Sequence, residues 1–258
     1  MSEEAAATQV LIVDDDPVMG ELLDALLTVE GYRVTRAISG EEALQVAREG
    51  SPKPDVILCD LHMPGMGGGE LANALHAARA DGTLPASSVI LAMSGSSPRA
   101  DESLAFDGFL RKPFSVDDLT RTVERARTQS ADRLTEKTEE LSSAENAVRL
   151  PPLDDKIFEQ LRFKIGAETL RQMYDMTLDD VHARLGRIAA AAQRGDQPTV
   201  RREAHTIKGS CGMVGALELQ ALAAATEGGS PVDTSALADF DSACKRLQRM
   251  LCERLEAP

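Results

Sequence analysis

In the first half of the chain, short apolar runs alternate with segments whose leucines have helical spacing, and this alternation most constrains the fold. Val10–Val13 is apolar throughout and ends at the aspartates that begin with Asp14. Val56–Cys59 and Val89–Met93 have the same character. Continuous apolar strands separated by helices are typical of a parallel sheet covered on both faces. We therefore predict an α/β fold here, with ligands beyond the carboxyl ends of the strands.

The second half differs, because its apolar residues recur at steps of three and four and predict helices throughout. Gly195–Pro198 and Gly228–Pro231 interrupt this pattern as turns. We predict a small antiparallel helical bundle. The stretch that leads to Pro151 is charged and poor in apolar residues. The predicted regions are an α/β domain at 1–125, a helical or flexible linker at 126–150 and the bundle at 151–258.

Composition restricts the function of these 258 residues. A net charge of −14 opposes nucleic-acid binding, which depends on cationic groups, and it favours protein partners. No apolar run approaches the roughly 18 to 20 residues of a membrane helix, so we expect no membrane insertion. The acidic start of the chain does not resemble a secretory signal. Four cysteines without a CxxC pair are read as reduced core thiols, and we expect a cytoplasmic protein.

Polar residues at the predicted strand ends form the first candidate site. Asp14, Asp15 and Asp60 would repel one another unless a hard cation lay among them, and Mg²⁺ prefers such oxygen ligands. With the metal present, the Asp60 carboxylate could attack phosphorus and form an acyl phosphate. Ser94 and Lys112 could then bind two phosphoryl oxygens. In the alternative interpretation, Asp14–Asp16 cap a helix and Lys112 is a surface cation.

These residues make the segment from about Gln9 to Glu124 resemble the response-regulator receiver family. The resemblance implies a five-stranded, doubly wound, flavodoxin-like parallel sheet with Asp60 as phosphoacceptor. The motifs that carry it are Val13-Asp14-Asp15, Gly31-Tyr-Arg-Val34, Gly40-Glu-Glu-Ala-Leu44, Asp60-Leu-His-Met-Pro64, Met93-Ser94-Gly95 and Phe109-Leu-Arg-Lys112-Pro113-Phe114.

By the same resemblance, Asp15, Asp60 and the backbone carbonyl of His62 would bind Mg²⁺, and Asp14 would support the ion through water. Lys112–Pro113 would be a cis peptide. The aromatic side chain of Phe109 would change its rotamer on phosphorylation.

Two features depart from the receiver pattern. The loop after Asp60 is rich in glycine, at Gly65 and Gly67–Gly69. A nucleotide-binding loop would need a terminal Lys-Ser/Thr that is missing, so a loosened receiver loop is the favoured interpretation. The stretch from Ser94 to Phe109 is short, and we expect a truncated fourth helix there.

The second candidate site lies on a helix. His205, Lys208, Gly209 and Gly212 are spaced i, i+3, i+4 and i+7 and therefore share one helix face. We expect an exposed neutral imidazole, which is a nucleophile near neutral pH, with Lys208 screening an incoming phosphoryl group. The glycines would allow a partner to approach closely. On these residues alone, a surface histidine without a function is slightly favoured.

The wider segment Ala204–Ala216 closely resembles the signature of histidine-containing phosphotransfer (HPt) domains. The resemblance covers about Leu153 to Leu255. It implies a four-helix bundle in which His205 accepts and donates phosphoryl groups through one ring nitrogen. His76 and His182 have no comparable setting, and His62 enters only through its backbone.

Together the two sites predict a two-component phosphorelay protein that exchanges phosphoryl groups with a sensor histidine kinase and with other receiver or HPt proteins. The chain lacks a glycine-rich ATP-binding kinase pattern, although the receiver could hydrolyse its own acyl phosphate slowly. We expect partners to dock on Val18, Met19 and Leu22. The alternative function is a non-catalytic interaction module switched by the receiver. Direct exchange between the two sites of one chain and the oligomeric state stay open.

Overall fold

A computed structural model describes residues 7–95, 105–128 and 150–255. The first half contains a parallel sheet of five strands in the order β2-β1-β3-β4-β5. This order confirms the doubly wound α/β prediction. The strands are β1 Gln9–Val13, β2 Arg33–Ala37, β3 Val56–Asp60, β4 Val89–Ser94 and β5 Gly108–Arg111.

Helices cover both faces of this sheet, and the alternation of side chains along β1 explains how. Val10 and Ile12 belong to one cluster of buried apolar residues, whereas Leu11 and Val13 belong to a second. Successive strand residues point to opposite faces, so a strand that is apolar throughout supplies two cores. The helices of this half are α1 Pro17–Val29, α2 Gly40–Glu49, α3 Gly68–Ala80 and α4 Val116–Thr128.

Two predicted features fall outside the described residues. The shortened fourth helix would lie largely in 96–104, and most of the linker lies in 129–149. α4 continues to Thr128, three residues beyond the predicted end of the domain at 125. The domain boundaries therefore stay predictions. The end of the first domain moves from 125 to Thr128, where α4 ends.

The described part of the second half, 150–255, is helical, as predicted. It has five helices rather than four, because α5 precedes the other four and packs on both α6 and α1. α6 contacts α7 and α9, and α8 contacts α7 and α9. The antiparallel direction of these four stays a prediction. The helices are α5 Asp155–Ile165, α6 Ala167–Gln193, α7 Gln197–Met213, α8 Leu217–Glu227 and α9 Thr234–Leu255.

The three consecutive aspartates Asp14–Asp16 have two different roles, because only Asp16 caps a helix. Its side chain accepts a hydrogen bond from the backbone N–H of Val18 and caps α1, and Pro17 follows at the first helical position. The capping interpretation is therefore correct for Asp16. Asp14 and Asp15 precede the cap and lie at the carboxyl end of β1.

The two halves are in contact through α1. This helix contacts both α5 and α6, and a single cluster of buried apolar residues extends from the sheet side into the bundle. Lys164 forms an ion pair with Glu30 at the edge of the contact. Among the described residues, no helix has the length and hydropathy needed to span a bilayer.

Candidate functional site

The carboxyl ends of β1 and β3 bring three carboxylates together. Ligand oxygens of Asp14, Asp15 and Asp60 all lie within 4.8 Å of one another. Oδ1 of Asp60 is buried without a hydrogen-bond partner within the described residues. Buried acceptors of this kind normally have a partner, and a hard cation can supply it. The donor set therefore fits Mg²⁺, as the sequence predicted.

Lys112 is the cation already present in this pocket. Its Nζ atom lies 2.8 Å from Oδ2 of Asp14 and 3.5 Å from Oδ1 of Asp60. Burial by itself would lower the pKa of Lys112, but the neighbouring carboxylates raise it above its ordinary value, so the side chain stays charged. The alternative that Lys112 is a surface cation is wrong, since its side chain is only 7% exposed.

Burial strongly affects the ionisation of Asp14. Burial raises its pKa to about 7, and this effect exceeds the opposing attraction of Lys112. The proximity of Asp60 also raises it. A divalent cation would reverse this balance, because it favours the ionised form of every carboxylate around it.

Ser94 and the loop after Asp60 complete the receiver site. Ser94 ends β4, is fully buried, and its Oγ atom lies 3.5 Å from Nδ1 of His62. Gly68 begins α3 at a close approach, because a Cβ atom there would lie 2.8 Å from the carbonyl oxygen of Asp60. Gly65 has a φ of 78°, which favours glycine. Two of the loop glycines are thus required by geometry, while Gly67 and Gly69 have open space.

The Lys112–Pro113 peptide is cis, as predicted from the resemblance. Lys112 directly follows β5, and its side chain lies in the pocket beside Asp14. Phe109 is partly buried in β5, and its predicted rotamer change stays a prediction. The metal ligation by the His62 carbonyl also stays a prediction.

His205 is less exposed than predicted. Its side chain is 13% exposed, so the expectation of an exposed imidazole is wrong. On one side Nδ1 lies 2.6 Å from Oε1 of Glu227. On another side the ring packs beside that of His62, with centroids 4.5 Å apart. The helix face predicted from spacing is correct, but the bundle and the receiver cover part of it.

Glu227 is a site residue that the sequence did not reveal. It is the last residue of α8, and its other oxygen, Oε2, lies 2.5 Å from Nζ of Lys208. Partial burial would raise the pKa of Glu227, but hydrogen bonds from His205 and Lys208 lower it to about 2. Since α8 packs against α7 from a separate segment, no periodicity in the sequence connects Glu227 with His205.

The two candidate sites face each other. A Cβ atom on Gly95, next to Ser94, would lie 3.3 Å from Cε of Lys208 and 3.7 Å from Cε1 of His205. A Cβ atom on Gly209 would lie 3.9 Å from Cδ of Lys112. The histidine face of α7 therefore packs over the strand ends that form the aspartate pocket.

Different local contacts explain why glycine occupies each of the positions around His205. A Cβ atom on Gly212 would lie 2.6 Å from Nε2 of Gln220, inside the bundle, and 3.7 Å from Cδ of Pro113. Gly215 has a φ of 73° just after the end of α7, and the N–H of Ala216 returns to the carbonyl of Cys211. Close approach of a partner thus explains Gly209 and Gly212 in part, whereas Gly215 ends the helix.

Comparison with protein families assigns a domain to each site. The model of the response regulator receiver domain matches residues 10–124. The model of the Hpt domain matches residues 172–257. The chain therefore contains a receiver domain and an Hpt domain, with the aspartate pocket in the first and His205 in the second.

Individual proteins resemble parts of the chain. The DNA-binding response regulator MtrA of Mycolicibacterium smegmatis is 34% identical over 46% of this chain and 50% of its own length. The sensor histidine kinase AruS of Pseudomonas aeruginosa is 28% identical over 84% of this chain, but only 20% of its own length. The chain thus spans half of the first relative and a fifth of the second. The chemotaxis protein CheY4 of Vibrio cholerae is 31% identical, with a TM-score of 0.41, over 47% of this chain and 99% of CheY4.

Proposed function

Because the chain joins a response regulator receiver domain to an Hpt domain, we propose that it is a phosphorelay protein of a two-component system in which Asp60 and His205 are the phosphorylated residues. The observation that carries the proposal is the facing position of the two sites, with the rings of His62 and His205 4.5 Å apart. A non-catalytic interaction module would not require a nucleophilic side chain at that place.

The receiver residues would act by positioning and by charge. Mg²⁺, held by Asp15, Asp60 and the His62 carbonyl with Asp14 supporting it through water, would neutralise the pocket and bind a phosphoryl oxygen. Asp60 would attack phosphorus through one carboxylate oxygen, while its other oxygen, Oδ1, which has no hydrogen-bond partner in the described residues, would bind the metal. Lys112 lies beside that oxygen and would pair with the incoming charge.

In the Hpt domain, Glu227 would hold the proton of the imidazole on Nδ1. The ionised carboxylate accepts a hydrogen bond from that atom at 2.6 Å, which leaves the lone pair on Nε2 of His205. Nε2 would be the nucleophile. Lys208, held by the same carboxylate, would attract the oxygens of the phosphoryl group.

The partners would be proteins of the same relay, namely a sensor histidine kinase and further receiver or Hpt proteins. We propose no nucleic-acid partner, since the net charge is −14. A cytoplasmic location is proposed on the basis of the four free thiols. Cys59, Cys211 and Cys244 are buried as expected, whereas Cys252 is exposed, so its prediction as a core thiol is wrong.

The test is phosphorylation with labelled acetyl phosphate and Mg²⁺, followed by treatment of the product with alkali. Phosphohistidine survives alkali, whereas an acyl phosphate does not. We expect wild-type protein to carry both kinds of label. Asp60→Asn should carry neither, and His205→Gln should carry only the alkali-labile label. Exposed residues supply matched controls, Asp175→Asn and His182→Gln, which should behave as wild type.

Two results would contradict the proposal. Alkali-stable label that persists in His205→Gln would place the phosphohistidine elsewhere. A protein that accepts label at Asp60 but never at His205, from acetyl phosphate or from a phosphorylated partner receiver, would favour the interaction module instead.

A further inference from the structure

We propose that the Hpt domain docks on the receiver domain of its own chain, so that Asp60 and His205 exchange a phosphoryl group within one molecule while the docked bundle covers the partner surface on α1. This inference rests on the proposed phosphorelay function and adds the partner, which is the other half of the same chain.

The apolar surface expected to receive a partner is already covered. Val18, Met19 and Leu22 of α1 are 7%, 1% and 1% exposed. α1 contacts α5 and α6, and Met19 and Leu22 share one buried apolar cluster with Phe158 of α5. A contiguous cluster that crosses from one domain to the other is typical of a specific contact rather than of two tethered domains.

A buried cation on α6 reaches into the receiver domain. Nη2 of Arg184 lies 3.7 Å from Oδ1 of Asp16, the residue that caps α1 and follows the two candidate metal ligands. The Arg184 side chain is 9% exposed and is held by Asp180 and Glu203 of its own domain. A buried guanidinium needs several acceptors, and Asp16 supplies one of them from the receiver domain.

At the rim of the contact, Lys164 of α5 pairs with Glu30 at the end of α1. Their side chains are 31% and 37% exposed, so this pair contributes little energy but marks the relative position of the two domains. A second polar contact joins the domains, since the backbone N–H of Phe114 donates to Sδ of Met213 at 3.4 Å. Both contacts join a residue of the receiver domain to one of the bundle.

Docking brings the histidine face of α7 against the strand ends of the receiver domain. Gly95 at the end of β4 lies against Lys208 and His205, where a side chain would approach Lys208 to 3.3 Å. The absence of a side chain at Gly95 and at Gly209 lets α7 lie close to the strand ends. Nζ of Lys112 lies 2.8 Å from Oδ2 of Asp14 in the receiver domain, and Lys208 of α7 lies against Gly95. The phosphoryl group would thus lie between two cations.

The exchange balances without an outside reactant. The lone pair on Nε2 of His205 attacks the phosphorus of the Asp60 acyl phosphate, and an N–P bond forms. The P–O bond to Asp60 breaks, and its electron pair returns to the carboxylate, which Lys112 and the metal stabilise. The ring becomes positively charged and keeps its proton on Nδ1, where the carboxylate of Glu227 balances the charge. The reverse reaction uses the same groups.

The first measurement is the rate of transfer from Asp60 to His205 as a function of protein concentration. Tethered groups experience an effective concentration of about 1 mM, so at about 10 µM protein the exchange within a chain should exceed exchange between chains by about 100-fold. We expect the wild-type rate constant to be independent of concentration. A mixture of phosphorylated His205→Gln chains and Asp60→Asn chains should react slowly and in proportion to concentration.

The second measurement tests the docked arrangement itself. A zero-length carbodiimide reagent should join Lys164 to Glu30 in the monomer band, as mapped by mass spectrometry of the peptides. Lys164→Gln removes the amine and should lose this cross-link while Asp60 still accepts label from acetyl phosphate. The same cross-link should form at high dilution.

A wild-type rate proportional to concentration, or a Lys164–Glu30 cross-link confined to dimers or missing, would overturn the proposal. Those results would leave the phosphorelay function intact. Failure of His205 to accept label in any of these mixtures would instead contradict the proposed function, and the two failures are therefore distinguishable.

Discussion

Nδ1 of His205 lies 2.6 Å from Oε1 of Glu227, the last residue of the neighbouring helix. This contact determines which ring nitrogen can react, because a carboxylate acceptor keeps the proton on Nδ1. The same carboxylate holds Lys208 through its second oxygen. One residue thus positions both the nucleophile and the cation beside it.

Replacement of Glu227 should slow phosphorylation of His205. A hydrogen bond to a charged group contributes about 1.5–3 kcal/mol, so Glu227→Ala should lower the rate about 10- to 100-fold. Glu227→Gln retains an acceptor for Nδ1 and should recover most of the rate. The measurement is transfer from a phosphorylated receiver, with urea unfolding as a control for stability. Equal loss in both variants would exclude a positioning role.

Glu227 should also affect stability in acid. Hydrogen bonds lower its pKa to about 2, from an ordinary value of 4.5. A lowered carboxyl pKa stabilises the folded state at pH values above 4.5, and this contribution is lost as the pH falls towards 2. The free energy of unfolding of Glu227→Gln should therefore depend less steeply on pH in that window than that of the wild type. Parallel curves for the two proteins would contradict this.

Binding of Mg²⁺ should depend on pH through Asp14. Its folded pKa is raised to about 7 from 3.8, so the proton stabilises the folded state at low pH, and that contribution is lost as the pH rises through about 7. Mg²⁺ competes with this proton. We expect Mg²⁺ affinity to rise by up to about tenfold per pH unit below pH 7, and the decline in stability to disappear with saturating Mg²⁺. Calorimetric titration at several pH values provides the measurement, and a flat profile would refute the linkage.

Gly68 should be intolerant of a side chain. A Cβ atom there would lie 2.8 Å from the carbonyl oxygen of Asp60 and 2.9 Å from Cα of Leu61, both backbone atoms. Gly68→Ala should therefore cost about 1–3 kcal/mol of unfolding free energy and weaken Mg²⁺ binding, because the end of β3 must move. Gly69→Ala is the matched control, since nothing lies within 4 Å of its Cβ position. Similar effects of both substitutions would rule out the close approach as the cause.

Arg184 and Arg187 both bind Glu203, but they should differ in importance. The Arg184 side chain is 9% exposed and forms ion pairs with three carboxylates, whereas the Arg187 side chain is 48% exposed and forms an ion pair with one. Arg184→Gln leaves buried charges without a partner and should destabilise the protein by about 3–5 kcal/mol. Arg187→Gln should cost no more than about 1 kcal/mol. Urea unfolding of the two variants checks the ranking.

The sequence was sufficient for the sheet and for the aspartate pocket, and the reason lies in local pattern. Val10–Val13 and Val56–Cys59 are apolar on both faces, which is a property of buried parallel strands. The carboxyl ends of neighbouring parallel strands share one edge, so Asp14 and Asp60 had to lie close together once β1 and β3 were recognised. The spacing of His205 and Lys208 likewise placed them on one helix face.

Packing between segments distant in sequence determined the surroundings of His205, which the sequence pattern did not predict. Glu227 is brought to His205 only because α8 lies against α7, and the glutamate itself has no feature in the sequence that sets it apart. The exposure of the imidazole was predicted wrongly for the same reason, since its neighbours include His62 from the other domain. The periodicity of a sequence shows which residues share one face of a helix or strand. It carries no information on which other part of the chain will pack against that face.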